Sequence, residues 1–447
     1  MVQEISKELR RRVLCAALLP ALTAGATTAL ASTASAVGSI RLVSSTASGV
    51  AANNGSTTCA VSADGNFVLF SSEASNLVVG DTNRAADLFL KNLATGAVTR
   101  VTTQSNGAQI AAGGDCLGTT MTPDGRIVAF NSGQGLTLDG INIVPTSGRA
   151  VFAKNTQTGL LTQASPPAGT VPQVTGYFGG VLSDDGTKLV FLTTPAQNFV
   201  GVDQFVNAIP ARLMLRDLSN GSVVNLATDN GIVAQGELVS SQFAISPDGI
   251  RVAFVSSSAS LVPGDTNRQA DVFVRNLVDG TTLLASSTSA GVPAVSVVSG
   301  FSSYSNPAFV SNSHVAFGTR QPSSLGERGL YLKNLASGGL ELVLSDVGGG
   351  SDARLSGQAQ KLVLSRLYSG WNSRIFVRDR STGVETLASA SASGVASNGQ
   401  SGGQLISRDG TQVVFGSNAQ NLVSPRPPAN VFQIYAKTIG TAAIVPR

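Results

Sequence analysis

Apolar positions in this chain come in short runs of four to six residues, and the runs return in a fixed order. Ser62-Ala63-Asp64-Gly65-Asn66-Phe67-Val68-Leu69-Phe70 is echoed from Thr122 to Phe130, Ser183 to Phe191, Ser246 to Phe254 and Ser407 to Phe415, each time with Asp-Gly ahead of the apolar run. Weaker copies from Ser313 to Phe317 and from Gln360 to Leu364 complete seven. A second run follows each copy, as in Asp87-Leu88-Phe89-Leu90-Lys91-Asn92-Leu93. After it come a Gly, such as Gly96 or Gly280, and a third run such as Ala97-Val98-Thr99-Arg100-Val101. Runs this short are strands covered on both faces rather than amphipathic helices. Asp-Gly supplies the positive φ of a tight hairpin, and Pro123 or Pro247 presets the corner before it. With an inner strand ahead of each Asp-Gly, the unit has four strands and recurs at about 50 to 60 residues, the period of a propeller blade. The pattern predicts an all-β fold: a β-propeller of about seven four-stranded antiparallel blades.

The ends of the repeat array bear on how the ring closes. The stretch from Leu42 to Ala51 matches that from Leu387 to Ala396, an outer strand with its exit, so the chain begins with an outer strand that has no blade of its own. It most simply joins the last blade, with Ala443-Ile444-Val445 competing for that edge. In an antiparallel meander the first-to-second and third-to-fourth turns share one face. The long second-to-third loops, such as residues 71–86 and 255–270, and the connections between blades share the other. Binding residues concentrate on loops of that kind, so the loop-rich face is the expected working surface.

Residues 1–36 read as a signal peptide: Lys7 and Arg10 to Arg12, an apolar stretch from Val13 to about Leu30, and Ala34-Ser35-Ala36 as the cleavage site. Pro20 and Gly25 weaken the apolar stretch as a membrane span. Residues 37–447 then form a single exported propeller, periplasmic or extracellular, without a transmembrane anchor. About half of the net charge of +4 belongs to the leader, and only 13% of the chain is charged. The basic residues are scattered one or two per repeat, unlike the clusters that bind phosphate backbones, which argues against nucleic acid. Cys15 leaves with the leader, so Cys59 and Cys116 remain in an oxidising compartment, each shortly before the Asp-Gly of the first and second repeats, as a candidate disulfide.

The pattern S-x-D-G-x-x-V-A-F followed by N-L-V-P-G-D-T-N-x-x-x-D-V-F-V-R-N-L, met almost throughout residues 246–277, resembles the TolB-like propeller repeat of bacterial exported proteins. The resemblance spans roughly residues 40–440. It implies the fold but not a function, because the motif residues build blades. TolB carries an α/β domain ahead of its propeller, whereas here the repeats follow the leader directly, so its envelope role does not transfer.

Few residues carry chemistry. Asp81, Asn83 and Asp87, and again Asp265, Asn267 and Asp271, place three oxygen-bearing side chains within seven residues, as a Ca²⁺ loop does; calcium is the candidate cofactor. The plainer reading, Asp and Asn making turn hydrogen bonds before a strand, is favoured because the other repeats lack the set. Gly399-Gln400-Ser401-Gly402-Gly403 has the nucleophile-elbow spacing, but no His follows it. The single His, His314, stands at a strand start, and propeller lyases built on several His have no counterpart here. Tyr368 and Trp371 form the one aromatic pair positioned to stack on a sugar or anchor a partner. Together these features favour an exported, non-catalytic binding or scaffolding module for an envelope or extracellular protein or glycan partner, held on the loop-rich face. The alternative is a carbohydrate-active enzyme using Asp residues on that face.

Overall fold

The computed structural model describes residues 38–111, 114–132, 137–138, 141–142, 150–167, 174–195, 212–226, 228–229, 232–233, 243–267, 269–293, 307–319, 325, 327–345, 353–367 and 373–440. The leader at 1–36, the stretch 443–445, Tyr368 and Trp371 lie outside these residues. Seven four-stranded antiparallel sheets form the fold. Blade 1 shows the common plan: Ser56–Val61, Phe67–Ser72, Asp87–Asn92 and Val98–Arg100, paired in chain order. Blades 2 to 6 repeat that order over 120–163, 174–225, 243–284, 308–345 and 353–387. No helix among the described residues is long and apolar enough to cross a membrane.

Blade 7 takes three strands from 401–438 and its fourth, Ile40–Leu42, from the start of the chain, with Arg41 opposite Ala436. The edge is therefore filled by the N-terminal strand. Its junction is tied by hydrogen bonds buried from water: Ser44 Oγ donates to Gln433 Oε1 at 2.6 Å and accepts from Ile434 N at 2.9 Å. Arg41 also reaches the Leu93 carbonyl of blade 1 at 2.7 Å.

Each blade buries both faces against its neighbours, which is why its middle strands are apolar without alternation. Directly opposed rings join the second and third strands: Phe70 and Phe89, Phe254 and Phe273, Phe317 and Tyr331, Phe415 and Tyr435, with centroids 5.7 to 6.0 Å apart. The apolar clusters lie between blades, one at each junction. Leu69 and Leu90 of blade 1 meet Val128 and Phe152 of blade 2, and Val68 and Phe89 of blade 1 meet Val414 and Ile434 of blade 7. The Asp-Gly turns stand close to the preceding blade. Gly65 has φ 71°, and a Cβ there would fall 2.3 Å from Gln412 Cγ, so glycine is required both by backbone conformation and by space.

A second tie between blades is polar. In five blades a cation near the end of the third strand reaches back to carbonyls of the preceding blade's exit, while Arg275 of blade 4 bonds Thr282 of its own blade. Lys91 Nζ donates to the Ser45 and Thr46 carbonyls, both at 3.0 Å. Lys154 binds those of Thr103 and Gln104, Lys333 those of Ser287 and Thr288, and Lys437 those of Ala390 and Ser391. In blade 3 Arg216 does the same to Ala164 and Ser165. Burial lowers the pKa of Lys91, Lys333 and Lys437. In blade 6 Arg378 turns instead to Glu385 of its own blade, which Arg366 also grips.

Two outcomes are expected. Ser44→Ala strands the buried Gln433 amide and Ile434 N–H, and should cost about 1–3 kcal/mol of stability, read from denaturant unfolding. For Glu385, burial raises the pKa but hydrogen bonds and charge from Arg366 and Arg378 outweigh it, and the net shift is downward. Its contribution is therefore complete above the unfolded-state value and fades as pH falls through the lower folded value. Glu385→Gln should flatten that acid limb of a stability-versus-pH curve.

Candidate functional site

The two mouths of the ring differ in chemistry. At the turn face each Asp-Gly corner is locked by its own side chains. Ser62 Oγ donates to Asp64 Oδ1 and accepts from Phe67 N, while Asp64 Oδ1 accepts from Asn66 N. Thr122 with Asp124, Ser183 with Asp185, Ser246 with Asp248 and Ser407 with Asp409 repeat the device. Burial raises Asp64, Asp124 and Asp185, but the hydrogen bonds prevail and all three titrate below the usual carboxylate range. The corners are then strung together: Asp409 N donates to the Ala63 carbonyl at 3.1 Å, and Ala63 N to the Pro123 carbonyl at 2.8 Å. In blade 5 Asn312 supplies the acceptor for Asp248 N. Across the ring, Arg408 of blade 7 grips both carboxylate oxygens of Asp184 in blade 3. These blades are not neighbours, so the pair spans the axis and bars this mouth. A cavity of about 470 Å³ lies beside Arg408, bounded by Asp64, Pro247, Asn312, Gln358 and Asp409. His314 belongs to this face, its Nδ1 held by Ser311 and Ser313.

At the loop-rich face a cavity of about 480 Å³ opens where blades 7 and 1 meet, edged by Ser373 of blade 6. Its walls mix the hydroxyls of Ser56, Thr57 and Thr58, the Glu73 carboxylate, the Gln400 amide and glycine backbone with the ring of Phe432. Two β-bulges shape it, between Thr58 and Ala60 in blade 1 and between Gly402 and Leu405 in blade 7. Bulges re-aim groups at such sites. Gly55 and Gly402 line the same cavity, and a Cβ on either would meet nothing within 4 Å, so open space lies over bare backbone there. The walls are held by Thr58 Oγ1 donating to the Gly403 carbonyl and Ser373 Oγ to that of Ser401. Ser401, the candidate elbow serine, is buried and bonded to Ser417 Oγ on a β-strand, not at a strand-to-helix turn.

Cys59, at the blade 1 bulge, forms a disulfide with Cys116 just ahead of blade 2, with Cα atoms 4.9 Å apart. Inner strands of blades 7, 1 and 2 are thus tied in series beside the cavity.

The two acidic loops sit on this face farther out, and they differ. In blade 1, Gln109 Nε2 lies between the carboxylates, donating to Asp81 Oδ1 and Asp87 Oδ2, both at 2.9 Å. Thr102 donates to the other Asp87 oxygen, Asn83 Nδ2 to Asp87 Oδ2, and Arg100 stands 3.8 Å from Asp81. Burial still raises Asp87. In blade 4, Ser286 and Asn267 serve Asp271 at 2.6 and 2.8 Å, and among the described residues Asp265 accepts only from Asn267 N, at 3.4 Å. Burial raises Asp265 and pushes Asp271 up to about 6, with the Asp265 charge adding to the rise. Among the described residues no three His, Cys, Asp or Glu side chains converge as a metal-binding group.

Sequence reasoning singled out Gln400 to Gly403 only as a nucleophile-elbow pattern and missed their place in a cavity with Ser56 to Thr58, as it missed the Arg408–Asp184 pair; both join positions more than 200 residues apart. It also passed over the third-strand cations, although a Lys or Arg recurs at one register in all seven repeats: Lys91, Lys154, Arg216, Arg275, Lys333, Arg378 and Lys437.

Blade count, strand order and closure define a seven-bladed β-propeller, as the TolB-like repeat implied. No protein-family model matches the chain, and no curated protein matches it by sequence. Among solved structures, an oligogalacturonate lyase in complex with manganese is similar at 13% identity and a TM-score of 0.54, the alignment covering 91% of each chain. An oligogalacturonate lyase from Vibrio parahaemolyticus aligns at 12% identity and a TM-score of 0.54, over 91% of this chain and 92% of its own. TolB from Acinetobacter baumannii aligns at 12% identity over 85% of this chain and 82% of its own, with a TM-score of 0.38. At these identities the likeness is one of fold.

Replacing Cys59 and Cys116 together by Ala should lower stability by about 2–4 kcal/mol. Denaturant unfolding should give the same loss for the unmodified protein after reduction.

Proposed function

We propose that this chain is an exported, non-catalytic binding module that holds an envelope or extracellular protein partner on its loop-rich face, at the cavity between blades 7 and 1. The observation that carries the reading is the chemistry of that cavity. Two bulges open it, hydroxyls, the Gln400 amide and the Glu73 carboxylate stand beside the Phe432 ring, and open space lies over the backbone at Gly55 and Gly402. An extended segment of another chain, with its own regular backbone donors and acceptors, is the complement of such a surface. The turn face supports the same choice of side, since its carboxylates are committed to corners and an ion pair crosses its mouth. Export rests on the leader and on a disulfide, which persists in an oxidising compartment.

The test uses residues 37–447 as bait against envelope and culture extracts, alongside Gly402→Trp, whose ring would fill the cavity, and Arg408→Ala on the opposite face. Saturable retention of a protein, weakened at least tenfold by Gly402→Trp and kept by Arg408→Ala, is the expected result. Retention of glycan alone, glycan turnover, or protein retention indifferent to Gly402→Trp would overturn the reading.

A further inference from the structure

The acidic loops of blades 1 and 4 are the same structure with different partners. In both, the exit of the blade carries an isolated bridge, Thr103 with Gln109 in blade 1 and Ser287 with Pro293 in blade 4. Pro293 therefore holds the register of Gln109. The outer strands correspond as well: Arg100 opposes Phe89, and Leu284 opposes Phe273. Blade 4 thus has Leu284 and Pro293 where blade 1 has the guanidinium and the amide that satisfy its carboxylates. Neither replacement has a side-chain donor. The consequence is visible at Asp265, which is only 5% exposed and whose Oδ2 is buried without a hydrogen-bond partner. Asp271, beside it, is fully buried.

Blade 7 resolves the same problem in a third way. Gln433 stands in the place of Asp87 and Asp271, accepting from Ser44 as they accept from Thr102 and Ser286, and its Nε2 donates to the Ala52 carbonyl at 2.9 Å. There the charge is removed; in blade 1 it is met by donors. Only in blade 4, of these three, do two carboxylates lie buried together with an oxygen left over. Paired buried carboxylates are costly unless something positive stands between them.

We propose that blade 4 binds a divalent cation, Ca²⁺, through Asp265 and Asp271, at the position that the Gln109 amide nitrogen takes in blade 1. Asp265 Oδ2 is the oxygen that no donor claims, and Asp271 Oδ2 is its partner across the site. Asn267, donating to Asp271 Oδ2, is a positioning residue. The donors are hard oxygens, which suits Ca²⁺ rather than a softer metal. With two carboxylates rather than three or four, the remaining ligands are carbonyl or water oxygens, and affinity falls in the weak class of about 10⁻⁴–10⁻³ M. This inference is independent of the partner proposed above.

The test is calorimetric titration of the chelator-stripped full chain with CaCl₂, with MgCl₂ as comparison, and thermal unfolding at each concentration. One Ca²⁺ per chain and a Tm that climbs with Ca²⁺ are expected, with Mg²⁺ at least tenfold weaker. Asp265→Asn should abolish both signals, and Asp81→Asn should leave them. Pro293→Gln supplies blade 4 with the blade 1 amide, so it should fold, unfold at a higher temperature than the parent without Ca²⁺, and lose the Ca²⁺ response. Absence of binding up to millimolar Ca²⁺, or a response that survives in Asp265→Asn and folded Pro293→Gln, would overturn the proposal.

Discussion

Five of the seven junctions rest on a cation at one register of the third strand, Lys91, Lys154, Arg216, Lys333 or Lys437, reaching back to carbonyls that the preceding blade leaves at its exit. Lys91 makes this contact to Ser45 and Thr46, residues that belong to the fourth strand of blade 7 and its exit. The same contact that fastens blade 2 to blade 1 therefore also fastens blade 1 to the N-terminal strand that completes blade 7. Charge in this chain is scarce, and part of it is placed where apolar packing alone would not fix the angle between blades. A buried ammonium with two carbonyl acceptors has few arrangements open to it, whereas Val and Phe faces slide.

That constraint divides the molecule's two faces. Asp-Gly corners, pressed against the preceding blade and strung together by backbone hydrogen bonds, make the turn face stiff, and Arg408 with Asp184 bars its mouth. Variation is left to the other face, where bulges in Ser56–Val61 and Ser401–Ile406 open a hydroxyl-lined cavity and where the acidic loops of blades 1 and 4 diverge. The two proposals for this face rest on a few departures from a common plan: Gly402 instead of a side chain, and Pro293 in the register of Gln109.

Much of the architecture was legible because local chemistry dictates it. Asp64-Gly65 with Ser62 specifies a corner within five residues, and Phe70 opposite Phe89 follows from the spacing between the two strand runs. The match of residues 42–51 to 387–396 pointed to closure by the N-terminal strand but left residues 443–445 competing for the edge, and the pairing of Ile40–Leu42 with Gln433–Thr438 decides it. The site was far less legible. Ser56, Thr58 and Arg408 look like ordinary strand and turn residues until the ring brings blades 7, 1 and 3 together, and nothing local marks them. The acidic loops show the intermediate case: Asp81 and Asp265 sit in nearly the same words, and what separates them lies about 28 residues downstream, at Gln109 and Pro293. The third-strand cations were in plain view as a periodic residue, and only their burial reveals that they are not a solvated surface.

The most direct measurement of the central claim, that the loop-rich mouth between blades 7 and 1 is the working surface, is peptide-resolved hydrogen exchange on the chain with and without its captured partner. Slowed exchange at residues 55–58 and 400–403, with the Asp-Gly corners at 62–66 and 407–411 unchanged, is the result the account requires. Slowing confined to those corners, with the cavity strands exchanging as before, would contradict it.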